Sequence, residues 1–154
     1  QSTDQKDKRL RVSILIQAED KNIVIDAGPD FRQQMIRAQA DQLDAVLLTH
    51  EHMDHITGMD DVRTFNFLHE RPMPVYGDRK TLDAIKRVYS YVFAEKKYPG
   101  VPVLDIQEIE KEPFSIHGVE VKPIDVLHFK MPVLGFRIGD LTYITDANYI
   151  SDQE

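Results

Sequence analysis

The stretch Leu47-Leu48-Thr49-His50-Glu51-His52-Met53-Asp54-His55-Ile56-Thr57-Gly58 constrains this chain more than any other. Ala45 to Thr49 reads as a short buried strand, and it ends in a burst of metal-ligand side chains. Three of the chain's six histidines and an aspartate follow one another there. At the chain's own His and Asp frequencies, H-x-H-x-D-H arises by chance on the order of once in a thousand such sequences. Imidazole with carboxylate suits Zn, Mn, Fe or Ni better than Ca or Mg. His50 and His52 are two apart, so on an extended backbone both rings leave the same face and meet one ion. Asp54 and His55 are adjacent and point apart on such a backbone. Once the chain turns into a helix near Gly58, they serve a second ion.

The flanking sequence predicts what carries this loop. Val12, Ile14 and Ile16 alternate with polar residues as a half-buried strand does. Glu19-Asp20-Lys21-Asn22 is a turn, and Ile23-Val24-Ile25 a more deeply buried strand. Gly28-Pro29 breaks it. Asp30 with Gln33 forms a capping pair for a helix to about Ala40, with Phe31, Met35 and Ala38 on one side. After the loop, Ile56, Met59, Val62 and Phe65 recur at helical spacing through Leu68, and Phe67 counts as core. His69 reads as a surface residue and Arg63 as part of a solvated helix face, with a guanidinium clamp on a substrate phosphate as its alternative. Pro74 to Gly77 is a short strand. A long amphipathic helix, capped by Asp78, runs through Leu82, Ile85, Val88-Tyr89 and Val92-Phe93. Tyr89, Tyr91 and Tyr98 count as packing residues. Tyr98-Pro99-Gly100-Val101-Pro102 stops the helix.

From there the chain turns β-rich. The expected strands are 104–109, 114–116, 119–126, 133–138 and 141–145, with His117-Gly118 a turn and Gly139-Asp140 a tight hairpin. His128 falls just past one of these strands and Asp146 just past another. Both share with His50 a position at a strand's C-terminal end, so one sheet edge is expected to gather all the ligands.

The loop resembles the signature of the metallo-β-lactamase superfamily. Ile25-Asp26-Ala27-Gly28 looks like that family's strand-end aspartate, and His128 and Asp146 fall where it places its next two ligands. Gly28-Pro29-Asp30-Phe31-Arg32-Gln33-Gln34 and Pro132-Val133-Leu134-Gly135-Phe136-Arg137 look like one branch. That branch contains the cyclic-phosphate phosphodiesterase of the bacterial phosphonate-degradation pathway. The resemblance implies a mixed α/β (α+β) fold, an αββα sandwich with two sheets face to face. Residues 1–154 would be the central portion of one such domain, with the family's first strand, C-terminal part and last histidine ligand outside it.

The resemblance also implies roles. The first ion takes His50, His52 and His128, the second takes Asp54 and His55, and Asp146 bridges them. Asp26 holds the loop from behind. The expected cofactors are two divalent transition-metal ions, Zn or Mn, and Asp54 doubles as the catalytic proton acceptor. β-Lactamases of this fold commonly carry a cysteine where this chain has Asp146, which counts against that activity. The leading expectation is hydrolysis of a small, anionic phosphodiester, with a cyclic nucleotide or sugar phosphate as the model substrate. A thioester hydrolase of the same fold, or a metal-binding relative without turnover, is the alternative.

Composition narrows the partners. The 154 residues are 42% hydrophobic and 29% charged, with a net charge of −7. This describes an ordinary folded chain of one domain's length. The acidic balance argues against tracking long nucleic acid, which needs a basic footprint. With no cysteine, neither a disulfide nor a thiolate site can form. No apolar run reaches membrane-spanning length. A cytoplasmic location follows by default, and a homodimer is compatible with everything above.

Overall fold

The computed structural model describes residues 2–154, with Gln1 outside them. Its first sheet opens with β1 (Ile14–Ala18) and β2 (Lys21–Ile25), an antiparallel hairpin closed by Glu19 and Asp20 at φ of 47° and 60°. A crossover through α1 (Phe31–Arg37) leads to β3 (Ala45–Leu47), parallel to β2. Next come α2 (Met53–Ile56), a 3-10 turn over Met59–Val62, α3 (Arg63–His69) and β4 (Met73–Gly77). Then α4 (Arg79–Val88) crosses to β5 (Leu104–Glu108), and the sheet runs β1-β2-β3-β4-β5.

The second sheet is antiparallel throughout. Its strands are β6 (Phe114–Ile116), β7 (Val119–His128), β8 (Met131–Ile138), β9 (Leu141–Tyr143) and β10 (Tyr149–Ile150). β7 pairs with β6, β8 and β10, and β8 with β9.

The two-residue period of a strand decides which side chains go where. Ile23, Ile25 and Leu47 enter the space between the sheets and meet Ile116, Val121, Leu134 and Phe136. Val24, Val46 and Val75 turn the other way and pack with Phe31, Met35, Val62, Phe65, Leu82 and Ile85 from the helical side. The first sheet is thus buried on both faces, as its unbroken Val/Ile/Leu runs require. The second sheet's outer face carries a small cluster around Ile124, Val126 and Val133, to which no described helix contributes.

Several expectations need correction. Asp30 does precede α1 but does not cap it, because its carboxylate instead accepts the Arg11 N–H at 2.7 Å. Ala38 is exposed, since α1 ends at Arg37 and the face turns away. The helical run after the loop is broken into α2, the 3-10 turn and α3, and this rotation leaves Phe67 and Leu68 in solvent. The long helix stops at Val88 and continues as a 3-10 turn, Ser90–Val92. Its Asp78 cap is present, accepting the Thr81 N–H at 2.8 Å. Of the three tyrosines, Tyr89 packs and donates to the Ile56 carbonyl at 2.8 Å, whereas Tyr91 and Tyr98 are exposed. Arg63 pairs with Asp60 and donates to the Gly100 carbonyl at 3.3 Å. His69 meets the Asp41 carbonyl at 2.9 Å.

Candidate metal centre

The site lies where the ends of the two sheets meet. The backbone past β3 is held on three sides: Leu48 N–H donates to Tyr76 O at 2.8 Å, and Asp26 N–H to Leu47 O at 2.8 Å. From the second sheet, Leu134 N–H donates to Thr49 O at 3.0 Å. Behind α2, Ala27 N–H donates to His55 O and Gly58 N–H to Ala27 O, at 2.8 and 2.7 Å. The approach is so close that only glycine fits. A Cβ on Gly58 would lie 2.1 Å from Gly28 O, and one on Gly28 would lie 2.1 Å from Asp54 O.

Asp26 organises the loop from below. Fully buried and at φ of 64°, it accepts the Thr49 N–H at Oδ1 and both the Thr49 hydroxyl and the His55 Nδ1 at Oδ2, at 2.8, 2.8 and 2.7 Å. Burial pushes this carboxyl up, and His55 and Thr49 pull against that. The hydrogen bookkeeping then fixes two imidazoles. His55 donates from Nδ1, so in the neutral ring that a metal ion requires, Nε2 carries the lone pair. The Thr49 hydroxyl has spent its one hydrogen on Asp26, so it can only accept from His50 Nδ1 at 2.9 Å. His50 therefore also presents a bare Nε2. Burial, with His55 and His52 close by, pushes His50 down to about 4, which keeps the ring neutral at physiological pH.

Those two lone pairs face other electron-rich atoms. His50 Nε2 lies 3.1 Å from His52 Nδ1 and 3.7 Å from Asp146 Oδ2, and His55 Nε2 lies 3.1 Å from the same oxygen. His128 completes the group, its ring centroid 5.2 Å from that of His52. The donor atoms of His50, His52, His128 and Asp146 all fall within 4.8 Å of one another. Burial raises the Asp146 carboxyl, but His55, Thr145 and His50 outweigh it and hold it below the usual range. Contacts this short between nitrogens and a carboxylate need a proton or a metal ion between them; burial lowers His55, but Asp26 and Asp146 outweigh it and favour a positive charge at this place. Three nitrogens and a carboxylate oxygen are a donor set that a divalent transition metal takes readily. The residues fit the expected ion.

Asp54 stands at the rim. Its half-exposed carboxylate is 4.0 Å from His55 Nε2 and 4.0 Å from Arg11 Nη1. The six residues singled out in the sequence thus converge at one edge, five tightly and Asp54 loosely. Two partners were not legible in the sequence. Thr49 acts only through the hydrogen count above. Arg11 arrives from a segment whose carbonyl is held by Gln34 Nε2 at 2.7 Å, a contact no local pattern announces.

The chain belongs to the β-lactamase superfamily, whose domain matches residues 21–154. It is 43% identical over 155 residues to an octanoyltransferase of Porphyromonas gingivalis, across 99% of this chain and 31% of that protein. It is 28% identical over 133 residues to a ribonuclease Z of Bradyrhizobium diazoefficiens, across 84% of this chain and 44% of that protein. A solved structure of a new diphosphatase from the PhnP family superposes with a TM-score of 0.89 at 34% identity, covering 99% of this chain and 57% of that one. The chain therefore spans from 31% to 57% of the length of these three relatives. No helix among the described residues is long and apolar enough to cross a membrane.

Proposed function

We propose that this chain is the metal-binding part of a phosphodiesterase with two divalent ions, acting on a small anionic phosphodiester. The observation that carries the reading is the position of Asp146. One of its oxygens faces the His50, His52 and His128 group on one side and His55, with Asp54 beyond it, on the other. Two neighbouring donor sets sharing one carboxylate are what a pair of ions needs. When bound, such a pair acidifies a water and steadies negative charge on a phosphoryl group.

The chain's own residues supply the rest. His50, His52 and His128 would hold one ion, Asp54 and His55 the second, and Asp146 both. Asp26 keeps His50 and His55 in the tautomers that leave Nε2 free. Asp54, at the open rim, is placed to accept the proton of the attacking water, and Arg11 beside it offers a guanidinium to a phosphate oxygen. A phosphodiester, with one negative charge, enters such a rim without displacing Asp146. The similarity to a PhnP-family diphosphatase and to ribonuclease Z supports phosphorus chemistry. The similarity to an octanoyltransferase weighs less, because the alignment takes in 31% of that protein.

The test is turnover of bis-p-nitrophenyl phosphate and of a five-membered cyclic phosphate by the full-length protein with Zn or Mn. Asp54→Ala should lower kcat by roughly a hundredfold or more, the scale of losing a positioned proton acceptor. Ready turnover of thioesters with every phosphodiester inert would overturn the reaction class and leave the metal site standing.

A further inference from the structure

We infer that Phe129 is a stacking platform that seats a nucleobase, or a planar ring of like size, beside the metal centre, so that the substrate is a nucleoside phosphodiester. This rests on the phosphodiesterase reading for the bond that is cut. The platform itself stands on separate observations.

β7 ends at His128 and β8 begins at Met131, with these two residues paired in register. Phe129 and Lys130 are therefore the whole of a two-residue hairpin loop. Phe129 fills its first position at φ of 59°. A positive φ at that place ordinarily selects glycine or asparagine. A bulky side chain there is strained, and such strain persists where the position is needed for something else. The loop is nevertheless pinned: the Phe129 N–H donates to the Asn148 side chain, and Asn148 N–H donates to Leu127 O at 2.8 Å.

The strain gains nothing for the core. Phe129 is 76% exposed as a residue and belongs to no packed cluster of the described residues. It borders an open depression of about 550 Å³ whose wall also includes His52, His128, Lys80, Lys130, Met131 and Pro132. The ring thus shares one open space with two of the metal-site histidines. Lys130 Nζ lies 5.8 Å from the centroid of the Phe129 ring and makes no ion pair among the described residues, whereas Lys80 is tied to Glu51 at 2.9 Å. A cation with no ion pair among the described residues thus lies over one face of an aromatic ring that adjoins the metal-site histidines. A flat ring next to a phosphate matches that combination. An alkyl chain would rest on the ring, Met131 and Pro132 but leave Lys130 without an anionic partner, whereas a nucleoside phosphate uses both the ring and the cation.

None of these 154 residues is tryptophan, so the fluorescence that Phe129→Trp adds to that of the wild-type protein reports on the platform. In the full-length, metal-loaded protein, guanosine 5′-monophosphate should quench that fluorescence. Ribose 5-phosphate, with the same phosphate and sugar, should leave it unchanged. Phe129→Ala should raise KM for a nucleoside phosphodiester about tenfold relative to KM for a methyl phosphodiester, the lower part of the range for losing one stacked base. Tyr98→Ala, which removes another exposed ring, should leave that ratio alone. Phe129→Gly should raise the unfolding midpoint, because it relieves the positive φ, and should raise the same KM ratio as Phe129→Ala. Absence of quenching, equal quenching by ribose 5-phosphate, or a Phe129→Gly protein less stable than wild type would overturn the platform. Base-dependent quenching in a protein that cleaves no phosphodiester would keep the platform and overturn the reaction class instead.

Discussion

Asp26 shows how much one buried carboxylate can decide. It touches no substrate, yet through Thr49 and His55 it dictates which nitrogen of two imidazoles is bare. Replacing it by asparagine keeps the shape and breaks this logic. An amide has one acceptor oxygen, and its NH2 must face a nitrogen or oxygen that previously donated. His55 can answer only by accepting at Nδ1, which turns an Nε2–H toward Asp146. Asp26→Asn should therefore weaken Zn binding about 10–100-fold, the usual scale for loss of a partner behind a ligand histidine. Competition with a chromophoric chelator measures this directly, and unchanged affinity would show that the tautomers are set otherwise. Phe129 is the converse case, a residue with a positive φ whose side chain joins none of the packed clusters of the described residues.

Among the elements, the β3–α2 connection and the β2–α1 turn behave as one piece, because their backbones interlock at Gly28 and Gly58. A methyl group on Gly58 would also lie 2.6 Å from Phe31 Cβ and 3.0 Å from Ala27 O, so the backbone must move. Gly58→Ala should cost about 2–3 kcal/mol, the range for overpacking a close-packed site, read as a lowered urea midpoint. The same shift should distort α2 and reduce metal uptake; a protein of normal stability and metal content would contradict the interlock. At the far end of β3, Asp44 joins elements electrostatically. Burial raises its carboxyl, but the Asn22 N–H, Arg71 and Gln42 outweigh that and hold it below the usual range. A carboxyl depressed on folding stabilises above its unfolded value of about 3.9 and loses that contribution as pH falls through the folded value. Asp44→Asn should thus cost about 1–3 kcal/mol at pH 7. The gap to wild type should close below about pH 4 in urea titrations, and a gap that widens on acidification would reverse the sign.

At the scale of the whole molecule, the metal-site residues join the two sheets. His50, His52, Asp54 and His55 follow β3 of the first sheet, while His128 and Asp146 come from the second. An ion bound there ties together layers otherwise held by the Ile/Leu/Phe core between them and the Leu134–Thr49 bond. Metal at about a hundred times its Kd contributes about 2.7 kcal/mol, so stripping it should lower Tm by on the order of 5–10 °C. Calorimetry with and without chelator checks this, and identical melting curves would show that the folded chain holds no ion. The same separation explains what could be read in advance. The strands, the ligand loop and the strand-end places of His128 and Asp146 were legible because hydrophobic periodicity and ligand chemistry are local properties of sequence. Helix breaks such as the turn at Met59–Val62 were not, because two short helices and one long one bury the same apolar spacing. Nor were Thr49, Arg11 and Phe129. A hydroxyl's hydrogen count, a guanidinium meeting Asp54 from 43 residues away and an exposed ring beside two histidines exist only once both sheets are assembled. The residue types that can bind a metal were written into the chain, but the direction each lone pair faces follows from bonds between segments distant in sequence.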